Sequence, residues 1–313
     1  MRFNGLDEVP GDWPRSAVTI GVFDGVHAGH RVIIERTRAA AAEVGVPVVA
    51  ITFDPHPSEV IRPGSHPAML STLDHRLALL LANGVDAALV LPFTAALSRL
   101  TPAEFAEQVL AGRLHAKAVV VGENFRFGHR ASGSVATLGE LGSRLGFEVQ
   151  AVDLVGADAV SWSSSYVRQC VLEGDVVEAA QVLRRPHRVE GVVVHGDHRG
   201  RELGYPTANL EPVPYPAIPA DGVYAGWLVR NPQGDEVALA AAISIGTNPT
   251  FDGIGRRVEA FAIDGKDLDL YGERVAVDFA ERLRPTVRFD GIEPLLVQMA
   301  QDVVRARAIT GPS

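Results

Sequence analysis

The feature that most limits what this chain can fold into is a change of rhythm partway along it. In the first half, short runs rich in Val, Ile, Leu and Ala lie at 17–22, 46–53, 85–91, 117–121 and 147–154. Runs of that kind suit parallel strands covered on both faces. Helical patterns lie between them, at 29–44, 74–83, from 101 onward and at 135–145. Asp74 reads as an N-cap and Asn83-Gly84 as a stop. Thr101-Pro102-Ala103-Glu104 carries a capping box with Pro at the first helical position. This alternation predicts a doubly wound parallel α/β sheet.

Two short helices, 165–172 and 175–183, then lead to Arg184-Arg185-Pro186. Beyond that point come β-type runs at 188–195, 223–230, 237–245, 257–263 and 274–279. Turn residues separate them, among them Pro214-Tyr215-Pro216, Asn231-Pro232-Gln233-Gly234 and Asp264-Gly265. Short strands at this spacing predict a small antiparallel β-barrel or sandwich, closed by a terminal helix over 293–308. The boundary is expected at 185/186, giving domains 1–185 and 186–313.

Composition narrows the function classes. A chain of 313 residues fits two domains. Hydrophobic residues at 47% and charged residues at 21% are the balance of a globular protein, not a disordered one. The net charge is −9 and both halves are acidic, which disfavours a general nucleic-acid binder. The single cysteine, Cys170, excludes an intramolecular disulfide framework and a cysteine-rich zinc site. The start, MRFNGLDEVPGDWP, has neither a basic nor an apolar leader segment. No apolar run approaches the roughly 20 residues that cross a bilayer. A cytoplasmic protein without membrane or nucleic-acid partners is expected, a monomer or weak homo-oligomer.

The densest chemistry lies in Gly21-Val22-Phe23-Asp24-Gly25-Val26-His27-Ala28-Gly29-His30. It joins the first strand to the first helix, where doubly wound sheets bind ligands. A helix N-terminus suits phosphate, and Gly21, Gly25 and Gly29 let backbone approach a ligand closely. Neither a dinucleotide fingerprint nor a P-loop is present. His27 and His30, three apart, can face one pocket and stabilise charge building on a phosphate. A metal site, a structural pair, and Asp24 as a turn cap are the alternatives.

A second dense segment runs from Gly191 through His195-Gly196-Asp197-His198-Arg199-Gly200-Arg201-Glu202-Leu203-Gly204 to Tyr205-Pro206-Thr207-Ala208-Asn209. Glycine-rich loops with Arg can cradle phosphates. Thr207 and Asn209 are two apart, so on an extended segment they share a face and offer neutral oxygens to Mg²⁺. A turn-rich hairpin is the plainer reading.

Further residues carry a resemblance. The His27-Ala28-Gly29-His30 segment looks like the HxGH nucleotidyltransferase superfamily. Phe53-Asp54-Pro55-His56-Pro57, Gly122-Glu123-Asn124-Phe125-Arg126-Phe127-Gly128 and Ser163-Ser164-Ser165-Tyr166-Val167-Arg168 resemble the FMN adenylyltransferase half of prokaryotic bifunctional FAD synthetases. Gly200-Arg201-Glu202-Leu203-Gly204-Tyr205-Pro206-Thr207-Ala208-Asn209 resembles the riboflavin kinase signature. Ser244-Ile245-Gly246-Thr247-Asn248, Arg257-Val258-Glu259 and Leu270-Tyr271-Gly272 continue that match.

The resemblance implies two activities: riboflavin and ATP·Mg²⁺ giving FMN and ADP, then FMN and ATP giving FAD and pyrophosphate. It implies catalytic roles for His27, His30 and Arg168 in the second reaction, and for Glu259 as base in the first. Gly21, Phe23, Asp24, Gly29, Asn124, Ser163 and Ser164 would contact the first nucleotide. Gly196, Gly200, Arg201, Gly204 and Thr207 would contact the second, with Thr207 and Asn209 at Mg²⁺. Asn124 stands where many relatives carry Asp, which favours hydrogen bonding over acid–base work. Phe105 and Phe127 could stack on a flavin or be core. Serine caps and a surface Glu259 are the structural alternatives. Adenylylation of a different phosphate, and a non-catalytic flavin-binding regulator, are the competing functions.

Overall fold

The computed structural model describes residues 1–153, 156–157, 160–196, 203–250, 253–265 and 268–311. The chain separates into two compact units, one of 1–67 and 73–163, the other of 68–72 and 164–313. The division precedes the helices at 164–183, so the expected boundary at 185/186 falls inside the second unit. The reason is packing: Val176, on the second of those helices, belongs to the same buried cluster as Val189, Tyr224 and Phe279.

In the first unit, β1 (Arg2–Asn4), β2 (Ser16–Ile20), β3 (Val48–Asp54), β4 (Ala87–Pro92), β5 (Ala116–Gly122) and β6 (Glu148–Val152) form one sheet. Its order is β1-β4-β3-β2-β5-β6, and every pairing is parallel. Helices α1 (Ala28–Val44), α2 (Pro57–Ile61), α3 (Leu73–Ala82), α4 (Pro102–Phe105) and α5 (Val135–Leu145) lie among the strands. The capping box at Thr101 forms as expected, and α4 runs on into a π-helical turn, Ala106–Ala111. The central strands carry apolar residues on both faces. Val18, Val49, Leu89 and Val119 join one buried cluster, while Ala17, Ala50, Ala88 and Val120 join another.

The chain builds from β2 outward to β3 and β4, then returns to the other side of β2 with β5. The switch point therefore lies between β2 and β5, and the crevice at their carboxyl ends is the ligand position of this architecture. The short polar β1 is an edge strand absent from the sequence reading, because three residues cannot show a period.

The second unit carries α6 (Ser164–Glu173), α7 (Val176–Leu183) and α8 (Ile292–Thr310). Its strands are β9 (His187–Val194), β10 (Ala208–Pro212), β11 (Gly222–Arg230), β12 (Val237–Thr250), β13 (Gly253–Ala262) and β14 (Arg274–Arg284). They close into a barrel, β10-β13-β12-β11-β14-β9, antiparallel throughout. Two-residue strands β7 (Gly156–Ala157) and β8 (Val160–Ser161) pair ahead of α6. Residues 68–72 add to the barrel unit through main-chain bonds: Met69 N–H donates to Tyr215 O at 2.6 Å, and Ala217 N–H to Met69 O at 2.8 Å.

Candidate active sites

The turn after β2 is built under strain. Phe23, Gly25 and Val26 all have left-handed backbone, with φ of 54°, 77° and 41°. For a Phe and a β-branched Val this costs on the order of 1–3 kcal/mol each, so the surroundings must over-determine the turn. Its effect is to deliver His27 to the N-cap of α1 and His30 to the first turn. The two rings stack, centroids 3.7 Å apart at 28°, and Phe23 meets His30 edge-on at 5.1 Å. Gly29 lies against this pair. A Cβ there would stand 3.1 Å from His27 Cε1 and 3.4 Å from the Trp162 carbonyl, so only glycine lets the rings sit so close to the helix start. Gly21 faces the Phe23 ring in the same way. Asp24 and His27 are buried.

His30 Nδ1 is shut off from solvent with no hydrogen-bond partner among the described residues. Burial, then the charges of His27 and Arg76, hold the His30 imidazole well below the usual histidine range. Arg76, on α3, had no signal in the sequence beyond a charge within an apolar helix. It is only 2% exposed. Its Nη1 donates to Val22 O at 3.0 Å and its Nη2 to Phe53 O at 3.2 Å. Burial lowers its pKa, opposed by Asp24 and Asp54.

Asn124 follows β5 across the switch point and is exposed, its Oδ1 3.3 Å from where a Cβ on Gly122 would stand. Ser163 ends the first unit, whereas Ser164 and Arg168 lie on α6 of the second. Arg168 donates through Nη1 to Ser165 Oγ at 3.3 Å. Phe105 and Phe127 are buried in the core, 6% and 8% exposed, with Phe125 stacked on Phe127. In this conformation they pack rather than offer a face to a flat ring, because the protein already covers nearly all of their surface.

In the barrel, alternation decides which residues face outward. Ala208 and Leu210 are buried around Asn209, and Val258 and Ala260 are buried around Glu259. Asn209 and Glu259 therefore share the outer face. They are register partners across β10 and β13, and Ser244 of β12 is the next residue in the same row. Asn209 Nδ2 donates to Thr207 O at 3.4 Å. Gly196, just past β9, approaches this row so closely that a Cβ would overlap the Asn209 amide. His195 stacks on Tyr271 at 3.9 Å beside it. Gly204 has φ of 85° in the turn before Thr207. Gly200 and Arg201 lie outside the described residues.

The oxygen chemistry of this row, the Asn209 amide with the Glu259 carboxylate opposite and Thr207 just ahead of β10, is of the hard-donor kind that suits Mg²⁺. Among the described residues no cluster of three or more His, Cys, Asp or Glu could hold a metal by itself. No helix among the described residues is long and apolar enough to cross a membrane.

Comparison with known proteins assigns the two parts of the chain to two families and leaves 167–182 to neither. A family model described as FAD synthetase matches residues 9–166, and one described as riboflavin kinase matches residues 183–310. A bifunctional riboflavin kinase/FMN adenylyltransferase of Pseudomonas fluorescens is 36% identical over 310 residues, covering 99% of this chain and 97% of its own. The protein of that name from Escherichia coli K12 is 34% identical over 294 residues, covering 94% of this chain and 92% of its own. A crystal structure described as a macrolide-efflux protein from Streptococcus pneumoniae superposes with a TM-score of 0.87 at 31% identity, covering 98% of each chain.

Proposed function

Because the chain belongs to the family of bifunctional riboflavin kinase/FMN adenylyltransferases, we propose that the stacked imidazoles of the first unit and the outer barrel row of the second are its two catalytic sites. The enzyme phosphorylates riboflavin with ATP to FMN and adenylylates FMN with ATP to FAD. The observation that carries the first assignment is the His27–His30 stack at the switch point of a parallel sheet.

In FAD formation a phosphate oxygen of FMN attacks the α-phosphorus of ATP and pyrophosphate leaves. The chain's part is to hold the phosphates and answer the charge that builds there. His27 and His30 donate ring N–H groups, while backbone N–H groups at Phe23 and Asp24, in the turn that Gly21 opens, and at Gly29 in the first turn of α1 add donors. Asn124 hydrogen-bonds the nucleotide. Ser163, at the end of the same unit, supplies a further phosphate donor.

In FMN formation the ribityl hydroxyl oxygen attacks the γ-phosphorus and ADP leaves. Glu259 accepts the hydroxyl proton. Thr207 and Asn209 would hold Mg²⁺, which when bound neutralises charge on the transferring phosphate. Gly196 and Gly204 keep the approach to that row open. The activities place the protein's ligands as riboflavin, FMN, FAD, ATP, ADP and pyrophosphate.

The test is purified protein with riboflavin, ATP and Mg²⁺, with flavins separated by chromatography. His27→Ala is expected to abolish FAD while FMN still accumulates, and Glu259→Gln to abolish FMN while added FMN is still converted to FAD. Loss of both products in either folded variant overturns the assignment.

A further inference from the structure

A buried cation is costly unless its charge or its geometry is used. Arg76 is such a cation, and the chemistry assigned above does not touch it. Its two terminal nitrogens grip different strands: Nη1 the carbonyl of Val22 after β2, Nη2 the carbonyl of Phe53 on β3. The Val22 carbonyl is held a second time, by Thr52 Oγ1 at 2.9 Å. Val22 is the residue immediately before the left-handed Phe23, so the clamp fastens the root of the strained turn. Asp24, buried within that turn, supplies the nearby countercharge together with Asp54. Thr52, on β3, ties the Val22 carbonyl from one side, but Arg76 reaches both carbonyls at once, and a neutral amide side chain lacks a fork wide enough for both.

We propose that Arg76 is a positioning residue for FAD formation, its guanidinium clamping the ends of β2 and β3 so that the turn presents His27 and His30 as a stacked pair to the nucleotide phosphates. The inference rests on the reading of that pair as the adenylyl-transfer site. Arg76 touches neither substrate nor reacting atoms and acts through the turn. The same charge opposes protonation of His30. A clamp of this kind governs alignment in the transition state more than ground-state affinity, so its loss belongs in kcat.

The experiment uses the full chain as wild type, Arg76→Gln and Arg76→Lys, with His27→Ala beside them. FAD formation from FMN and FMN formation from riboflavin are measured on each preparation. Arg76→Gln is expected to lose about 100-fold in kcat for FAD, the scale of a small misalignment of reacting groups. KM for FMN and for ATP should stay within about threefold, and FMN formation should be unchanged. Arg76→Lys keeps the charge without the fork, and should fall between Gln and wild type. Should Arg76→Gln fail to fold, Arg76→Lys alone must still lose about tenfold in kcat. Wild-type kcat in either folded variant overturns the proposal, as does a loss confined to KM. If wild type makes no FAD, or His27→Ala still makes it, the site assignment fails instead.

Discussion

At the scale of single residues, the environment of a side chain decides its chemistry more than its identity does. His30 illustrates this. Its folded pKa lies well below the usual histidine value, because burial and two neighbouring charges oppose protonation. The unfolded chain binds that proton first, so the stability it represents is complete above about pH 6.5 and is lost as pH falls below it, toward the folded value. His30→Asn cannot be protonated. Chemical denaturation from pH 7.5 down to 5 should therefore show a shallower decline for the variant than for wild type, wherever the ligand-free protein stays folded. Gly196 is the matching case in the barrel. Gly196→Ala drives a methyl into the Asn209 amide, and overpacking of that kind costs about 1–3 kcal/mol. FMN formation should fall by about tenfold or more in kcat/KM, while FAD formation from supplied FMN is untouched.

At the scale of elements, many of the chain's local signals appear in the structure, although Asp74, expected to cap α3, lies inside its first turn. Asp175 caps α7, its Oδ1 accepting from Glu178 N–H at 3.0 Å. Asp175→Ala should cost about 1 kcal/mol, read from the shift of a urea midpoint, and Asp175→Asn much less. The helix at 135–145 and the strands at 17–22 and 117–121 were legible for the same reason, a clear period and good caps. The strand Ala208–Pro212 was not, because Pro and Glu at its end break the alternation and its place is set by pairing with β9 and β13. The π-helical turn after α4 likewise has no local signature.

At the scale of the whole molecule, units form where apolar faces are covered, not where composition changes. Pro186 marks a change of rhythm, but α6 and α7 ahead of it belong to the barrel unit, with Val176 in its core. A fragment beginning at 164 should melt higher than one beginning at 186, by calorimetry on the two fragments, since the shorter one exposes the surface that Val176 covers. Equal melting temperatures would return the boundary to 185/186.

The sequence by itself determined the two fold classes, the parallel sheet and the antiparallel barrel, since each follows from a hydrophobic period written within single elements. It also determined that His27 and His30 stand at a strand–helix junction, because that depends on neighbours a few residues away. Tertiary structure alone decided that the rings stack, that Asn209 and Glu259 share a row, that Phe105 and Phe127 are core, and that Arg76 grips the Val22 and Phe53 carbonyls. Those facts depend on strand order and register, which join residues distant in the chain, and no local pattern encodes them.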